Sequence, residues 1–377
     1  MKIVADENIT FGTEAFSTLG EVETYNGRKI SNELLKDADV LIVRAITEVN
    51  KNLLQNTSVK FVGTTTIGTD HIDLDYLSKD KIAFADAKGC NANSVLEYVF
   101  AALFKIAVKE KFKLEDKTIG VVGVGTIGSK VVKVAETLGM KVKKNDPPLE
   151  RKGLKGFTTL KDTLDSDIVT FHVPLNMDGI DKTFHLLNEE NFNLVKPGTI
   201  IINTSRGPVI DNEVLKSEIK NKNLKVILDV WEKEPGIDPE LLKEIYFATP
   251  HIAGHSYEGK VFGTKFVYDK LCTHLGKEIK WNPPLPAPFD KNKKLIDNNS
   301  FEVKMDKLIS SIYNIEEDNL RMQKILKLEK SEIKKYFDEL RKGVPKRREF
   351  NNYVVELSGK DKSLKEKLNS LRFKTVS

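Results

Sequence analysis

"DKTIGVVGVGTIGSKVVKVAETLGMKVKKND", residues 116–146, reads as strand, glycine turn, helix and second strand. A run rich in Val and Ile reaches Gly123, after which Gly125 and Gly128 complete the spacing G-x-G-x-x-G. The first glycine of such a loop permits a tight turn, the second lets a pyrophosphate approach the backbone, and the third lets the helix pack on the strand. The free N–H groups and positive end of the helix then favour an anion. "KVKKND" ends at Asp146, where a carboxylate accepts ribose hydroxyls and repels a 2′-phosphate. The stretch predicts a dinucleotide site inside a parallel α/β domain, with NAD preferred over NADP.

Working outward, the first ninety residues alternate β-rich runs ("KIVA", "VLIVRA", "KFVGTT", "IAFADA") with segments of helical character such as "SNELLKDA" and "LDYLSKDK". A long helix is expected over Asn93–Glu110, capped by Asn93 or Ser94. After the glycine loop a second alternation runs through "DIVTFHVP", "TIIINTS" and "KVILDV" to "IYFATPHI". Two alternations imply two α/β domains. A further helix ends at Gly276, and "WNPPLPAP", with four prolines in eight residues, makes a stiff linker. Beyond it the texture turns to Lys, Glu and Asn, with an apolar stripe at Leu308, Ile312 and Ile315 that needs a surface to cover, so oligomerisation is expected there.

Composition sets bounds. A chain of 377 residues, 40% hydrophobic and 31% charged, is too long for one core and reads as globular. The stretch 95–108 contains Glu97 and Lys105 and falls short of the roughly 20 apolar residues of a membrane span. The opening residues lack a signal-peptide pattern and the two cysteines, Cys90 and Cys272, lack metal or disulfide spacing, which points to a reducing cytoplasm. The net charge is +5, but residues 282–377 alone carry about +7, which leaves the rest slightly acidic. Its interleaved Glu and Asp and few aromatics argue against nucleic acid.

Three further segments carry chemistry. "NTSRGPVID" places Arg206, "LDVWEKEP" places Asp229 and Glu234, and "TPHIAG" places His251, each after a predicted strand, where open α/β sheets bind ligands. Oxidation of a hydroxyacid needs a proton acceptor beside a hydride acceptor, with a fixed cation for the carboxylate. Arginine supplies a planar fork for that carboxylate; His251 takes the hydroxyl proton; Glu234 orients the ring and favours its protonated form. His251 and His255 are four apart, a spacing that suits metal ligands on a helix. Pro250 and Gly254 interrupt any helix there and no third ligand lies nearby, so no metal is expected.

These segments resemble the signature of the D-isomer-specific 2-hydroxyacid dehydrogenases. The resemblance implies catalysis by Arg206, Glu234 and His251, and a nicotinamide contact from Asp229. It implies NAD held by Gly123, Gly125, Thr126, Ile127, Gly128, Asp146, Thr204, Ser205 and Gly254. It also implies a Rossmann-like NAD domain, 93–255, inserted in a flavodoxin-like substrate domain, 1–92 with 256–281. "MKIVADENI", "VRAITEVN", "FVGTTTIGTDHID", "GCNANSVLEYVF", "HIAGHSYEGK" and "FDELRKGVPKRREFNNYVV" resemble one branch of the family. That branch acts on a small phosphorylated hydroxyacid and dimerises through an added α+β domain, here 282–377. Its substrate positions fall on Ala45, Thr66 and His255, where that branch has Ser for Ala45 and Tyr for His255; Arg44 joins them because it ends the strand "VLIVRA" beside that loop. Arg44 is a candidate for the phosphate; "KRRE" at 346–349 is another if a dimer brings the tail near a site, and otherwise a solvated face. Other hydroxyacids, and an NAD-sensing interaction protein on the same scaffold, remain as alternatives.

Overall fold

The computed structural model describes residues 1–295, 299–357 and 361–376. The chain divides into two compact units: residues Met1–Asn91 with Ser256–Pro286, and Ala92–His255 with Ala287–Ser377.

Unit 1 is built on five parallel strands, β1 (Lys2–Asp6), β2 (Glu21–Tyr25), β3 (Val40–Val43), β4 (Phe61–Thr64) and β5 (Ala83–Ala85), in the order β2-β1-β3-β4-β5. β3 and β4 are buried along their whole length, as continuous Val/Ile/Phe runs require in a sheet covered on both faces. β2, "EVETY", is an edge strand whose polar residues give no apolar alternation, so the sequence pattern does not announce it. "SNELLKDA" forms only one 3₁₀ turn, Glu33–Leu35, rather than a helix. The helix Tyr257–His274 returns to this unit and buries Val267, Tyr268 and Leu271 against Ile3, Phe16, Ile42 and Phe61. Trp281 anchors the chain before the prolines, its indole N–H donating to Glu14 Oε1 at 2.9 Å.

Unit 2 holds six parallel strands, β6 (Thr118–Val122), β7 (Lys141–Asn145), β8 (Ile168–Phe171), β9 (Ile200–Asn203), β10 (Lys225–Leu228) and β11 (Phe247–Ala248), in the order β11-β10-β9-β8-β6-β7. Strand order reverses between β6 and β8, the switch point at which doubly wound sheets take their ligands. The long helix spans Ala92–Lys109. Ser94 lies inside it, and its hydroxyl donates to Glu349 Oε1 at 3.1 Å rather than capping the helix. Among the described residues no helix is long and apolar enough to cross a membrane.

The C-terminal segment carries a parallel sheet of its own, β12 (Asn292–Lys294), β13 (Val354–Glu356) and β14 (Lys374–Val376), yet it packs into unit 2. Two helices follow, Phe301–Ser310 and Ile315–Gln323, the second capped by Asn314. The stripe that called for a second subunit is covered from within: Leu308 and Ile315 are buried and Ile312 half-buried against the core of helix Ala92–Lys109. Charges join the same interface. Lys105 pairs with Asp306 at 2.8 Å, and Arg372 bridges the buried carboxylates of Glu97 at 3.2 Å and Glu349 at 2.8 Å. Burial, then the nearby Glu349 charge, pushes the Glu97 carboxyl well up despite Arg372.

Candidate active site

The glycine loop leaves β6 beside the switch point. Gly123 has φ +86°, and a Cβ there would meet the His172 carbonyl oxygen at 2.7 Å; a Cβ on Gly128 would lie 1.9 Å from the Gly123 carbonyl. A Cβ on Gly125 would meet nothing within 4 Å, so this glycine keeps open space at the start of the helix Gly128–Thr137. The loop thus fits a pyrophosphate: two glycines are demanded by the fold, and the third by what approaches it. Thr126 is exposed at the tip and Ile127 packs onto the core. Asp146 accepts from the Val124 N–H at 2.8 Å and from Leu149 N at 3.0 Å, so this carboxylate also braces the loop and caps the next short helix. Across the switch point, His172 at the end of β8 exchanges hydrogen bonds with Thr170 at 3.0 Å and Thr204 at 3.4 Å. Burial pushes its ring down to about 3, so it is neutral at physiological pH.

The three chemistry-bearing segments leave the adjacent strands β9, β10 and β11 at their C-terminal ends. After β9, Asn203 Oδ1 accepts from the N–H and hydroxyl of Ser205, and Asn203 Nδ2 donates to the Arg206 carbonyl at 2.9 Å. That Asx turn presents Arg206, whose Nη1 donates to Ser205 O at 2.8 Å. Gly207 is forced by sterics, since a Cβ would lie 2.0 Å from the Trp231 carbonyl carbon. After β10, Asp229 is buried and its carboxylate accepts from Thr249 Oγ1 at 2.6 Å, Ile252 N at 2.7 Å and Ala253 N at 2.9 Å. Whatever it offers a cofactor, it also folds the segment that carries His251 and Gly254. His255 continues that turn, its N–H donating to Ile252 O at 2.8 Å.

His251 has φ +58°, and its Nδ1 lies 2.5 Å from Glu234 Oε1. Burial alone would raise the Glu234 carboxyl; the charge and hydrogen bond of His251, the charge of Arg341 and the Trp231 N–H together hold it below the ordinary value. An ionised Glu234 only accepts, so Nδ1 carries the proton and the neutral ring has its lone pair on Nε2. Among the described residues Nε2 has no partner.

In unit 1, Arg44 is anchored through its Nε to buried Asp6 at 3.1 Å. Ala45 is exposed beside it, and the Thr66 hydroxyl meets Thr64 Oγ1 at 2.8 Å. Lys260 on the returning helix is a second cation that sequence reasoning missed: burial, and then the Arg44 charge, lowers its ammonium. Nothing in "YEGK" signals it, because the neighbour is two hundred residues away in sequence. The stretch "KRRE" is not a solvated face at Arg347, which is buried and donates to the Ser94 and Ala253 carbonyls. A second group also escaped the sequence reading. His185 Nε2 lies 2.7 Å from Glu232 and its Nδ1 3.3 Å from Asp211. The three are close enough to hold a metal ion, and the ring turns a different nitrogen to each carboxylate.

Residues 103–253 match the model of the D-isomer specific 2-hydroxyacid dehydrogenase NAD binding domain. The chain is 41% identical over 380 residues to an erythronate-4-phosphate dehydrogenase of Hahella chejuensis, covering all of both chains. It is 43% identical over 360 residues to that of Proteus mirabilis, covering 94% of each. The chain belongs to the erythronate-4-phosphate dehydrogenase family. Its NAD domain binds NAD, which the glycine loop and Asp146 fit. Solved structures similar to this family member include the D-lactate dehydrogenase of Aquifex aeolicus complexed with NAD and lactic acid, with 27% identity and a TM-score of 0.61. That match covers 73% of this chain and 96% of the other. The NAD-bound 3-phosphoglycerate dehydrogenase of Entamoeba histolytica has 26% identity, a TM-score of 0.62, and coverage of 74% and 97%. Residues 285–371 match a domain of unknown function.

Proposed function

We propose that the chain oxidises 4-phospho-D-erythronate to (R)-3-hydroxy-2-oxo-4-phosphobutanoate, a step in making pyridoxal 5′-phosphate. The observation that carries this reading is the His251–Glu234 pair at the C-terminal edge of a nucleotide-binding sheet, in a chain 41% identical to an erythronate-4-phosphate dehydrogenase along its full length. NAD, when bound, supplies the acceptor for the hydride leaving C2. His251 Nε2 takes the proton of the C2 hydroxyl as the carbonyl forms, and Glu234 stabilises the imidazolium until the proton passes to solvent. Arg206 holds the substrate carboxylate and polarises C2. Thr204, Ser205, Asp229 and Gly254 position the cofactor with Thr126 and Ile127. On unit 1, Arg44, Ala45 and Thr66 contact the substrate, Arg44 and Lys260 taking its phosphate; His255 contributes an imidazole where the branch has a phenol.

The test is NADH formation with 4-phosphoerythronate, 3-phosphoglycerate and unphosphorylated erythronate. We expect kcat/KM to favour 4-phosphoerythronate by about a hundredfold over erythronate, as losing the partner of a built anion site costs; a preference for 3-phosphoglycerate overturns the assignment. Homodimerisation through the C-terminal segment is proposed with it, supported by exposed Leu320, Phe289 and Val376. A monomer by sedimentation at micromolar concentration would sink that part.

A further inference from the structure

The C-terminal segment reaches the acid/base pair from two directions, and the chemistry above gives it no part. Arg347 is 5% exposed. One nitrogen, Nη2, donates both to Ser94 O at 2.9 Å and to Ala253 O at 2.5 Å, while the guanidinium lies 4.4 Å from the centre of the Tyr313 ring. Ala253 is two residues past His251, and its own N–H donates to Asp229. The peptide after His251 is therefore gripped on both sides, by Asp229 through two N–H groups and by Arg347 through a carbonyl. His251 depends on such a grip. A φ of +58° is unfavourable for a residue with a Cβ, and relaxing it would swing the imidazole away from Glu234. Glu234 in turn feels the charge of Arg341, on the C-terminal helix Lys330–Lys342.

Stability alone does not ask for arginine here. A buried guanidinium pays a desolvation penalty that an apolar side chain of similar volume avoids. What the arginine adds is donation to two carbonyls on separate elements, the long helix and the histidine loop.

We infer that Arg347 is a positioning residue for the proton transfer at His251, so that the C-terminal segment is part of the catalytic apparatus. It acts through the Ala253 carbonyl and touches neither substrate nor cofactor. The inference rests on the oxidation proposed above only for the reaction used to read it. Arg347→Met removes both hydrogen bonds at little change of volume. Arg347→Lys keeps one nitrogen able to make both.

With full-length protein, Arg347→Met is expected to lower kcat about tenfold, to leave the Kd for NAD within about twofold, and to move the acid limb of the pH–kcat profile to lower pH as the histidine drifts from Glu234. Arg347→Lys is expected to restore rate and profile. A second readout needs no turnover: a low-field proton from the His251–Glu234 hydrogen bond is expected in the NMR spectrum of the wild type, and is expected to broaden or disappear in Arg347→Met. Should Arg347→Met not fold, Tyr313→Leu, which removes the ring beneath the guanidinium, takes its place with the same signs and about a threefold effect. The inference is overturned by a folded variant with wild-type kcat, profile and low-field proton. It is equally overturned if kcat falls only with the folded fraction while the profile stays and lysine gives no rescue. A wild type that turns over no hydroxyacid yet keeps the NMR contrast counts against the proposed reaction and leaves the positioning role standing.

Discussion

Two histidine–glutamate pairs grow from one loop. Glu232 and Glu234 stand two residues apart after β10; Glu232 holds the Nε2 of His185 at 2.7 Å, and Glu234 holds the Nδ1 of His251 at 2.5 Å. Exposure does not tell the rings apart, at 26% and 32%. The difference is the second nitrogen. In His185 it faces Asp211, which also caps the helix Asn212–Asn221, so the ring ties one loop to another. In His251 it has no partner among the described residues, so a proton can come and go there. An imidazole bound at both nitrogens is a brace; one bound at a single nitrogen is a base.

The largest expected effect separates the two rings outright. His251→Ala should lower kcat by about a hundredfold or more, and Arg206→Ala should lower kcat/KM by a similar factor. His185→Ala should stay within about threefold; an equal loss of rate from the His185 variant would erase the distinction. Next comes Glu234→Gln, expected to cost about tenfold in kcat and to shift the acid limb of the oxidation profile to lower pH. Removing the carboxylate charge lets the ring stay neutral, and so competent as a base, further into acid. Glu232→Gln should leave that profile where it is, and a shift as large as that of Glu234→Gln would show the two glutamates to be interchangeable.

Smaller effects fall on stability. His185→Ala removes the ring that links the Asp211 and Glu232 carboxylates, and its Tm should drop by roughly 2–4 °C in a thermal melt. A third histidine completes the series. Among the described residues the His172 ring hydrogen-bonds to the hydroxyls of Thr170 and Thr204, and burial holds it near 3, below its ordinary 6.5. The unfolded chain therefore takes up a proton at this site that the folded chain does not, so stability falls as pH drops from 6.5 toward 3. His172→Gln should make that decline shallower in urea titrations at pH 7, 5 and 4, and an unchanged slope would show that the ring charges in the folded state.

The legible part of this molecule was local. Gly123, Gly125, Gly128 and Asp146 declare a nucleotide loop because their spacing along one strand–turn–helix is itself the geometry. The strands after which Arg206, Glu234 and His251 stand were equally plain, and with them the parallel sheet. The His185 brace was not, because its partners lie 26 and 47 residues further along the chain. Nor was the fate of "KRRE": a run of cations reads as solvated when nothing in the sequence says that carbonyls 94 and 253 residues away will close on one of them. The apolar stripe at Leu308 and Ile315 misled for the same reason, since its cover is a helix two hundred residues earlier. An edge strand such as β2 has no apolar face to announce it.

The division of unit 1 between Met1–Asn91 and Ser256–Pro286 also has a history in time. On the ribosome the first ninety residues emerge with β1 to β5 complete, but Val267, Tyr268, Leu271 and Trp281, which close their core, are still unmade. At roughly 5–20 residues per second, the intervening stretch takes on the order of ten to thirty seconds to synthesise. Unit 2 can begin to assemble while the first sheet waits with one apolar face open. That face can close only once the helix Tyr257–His274 has been made.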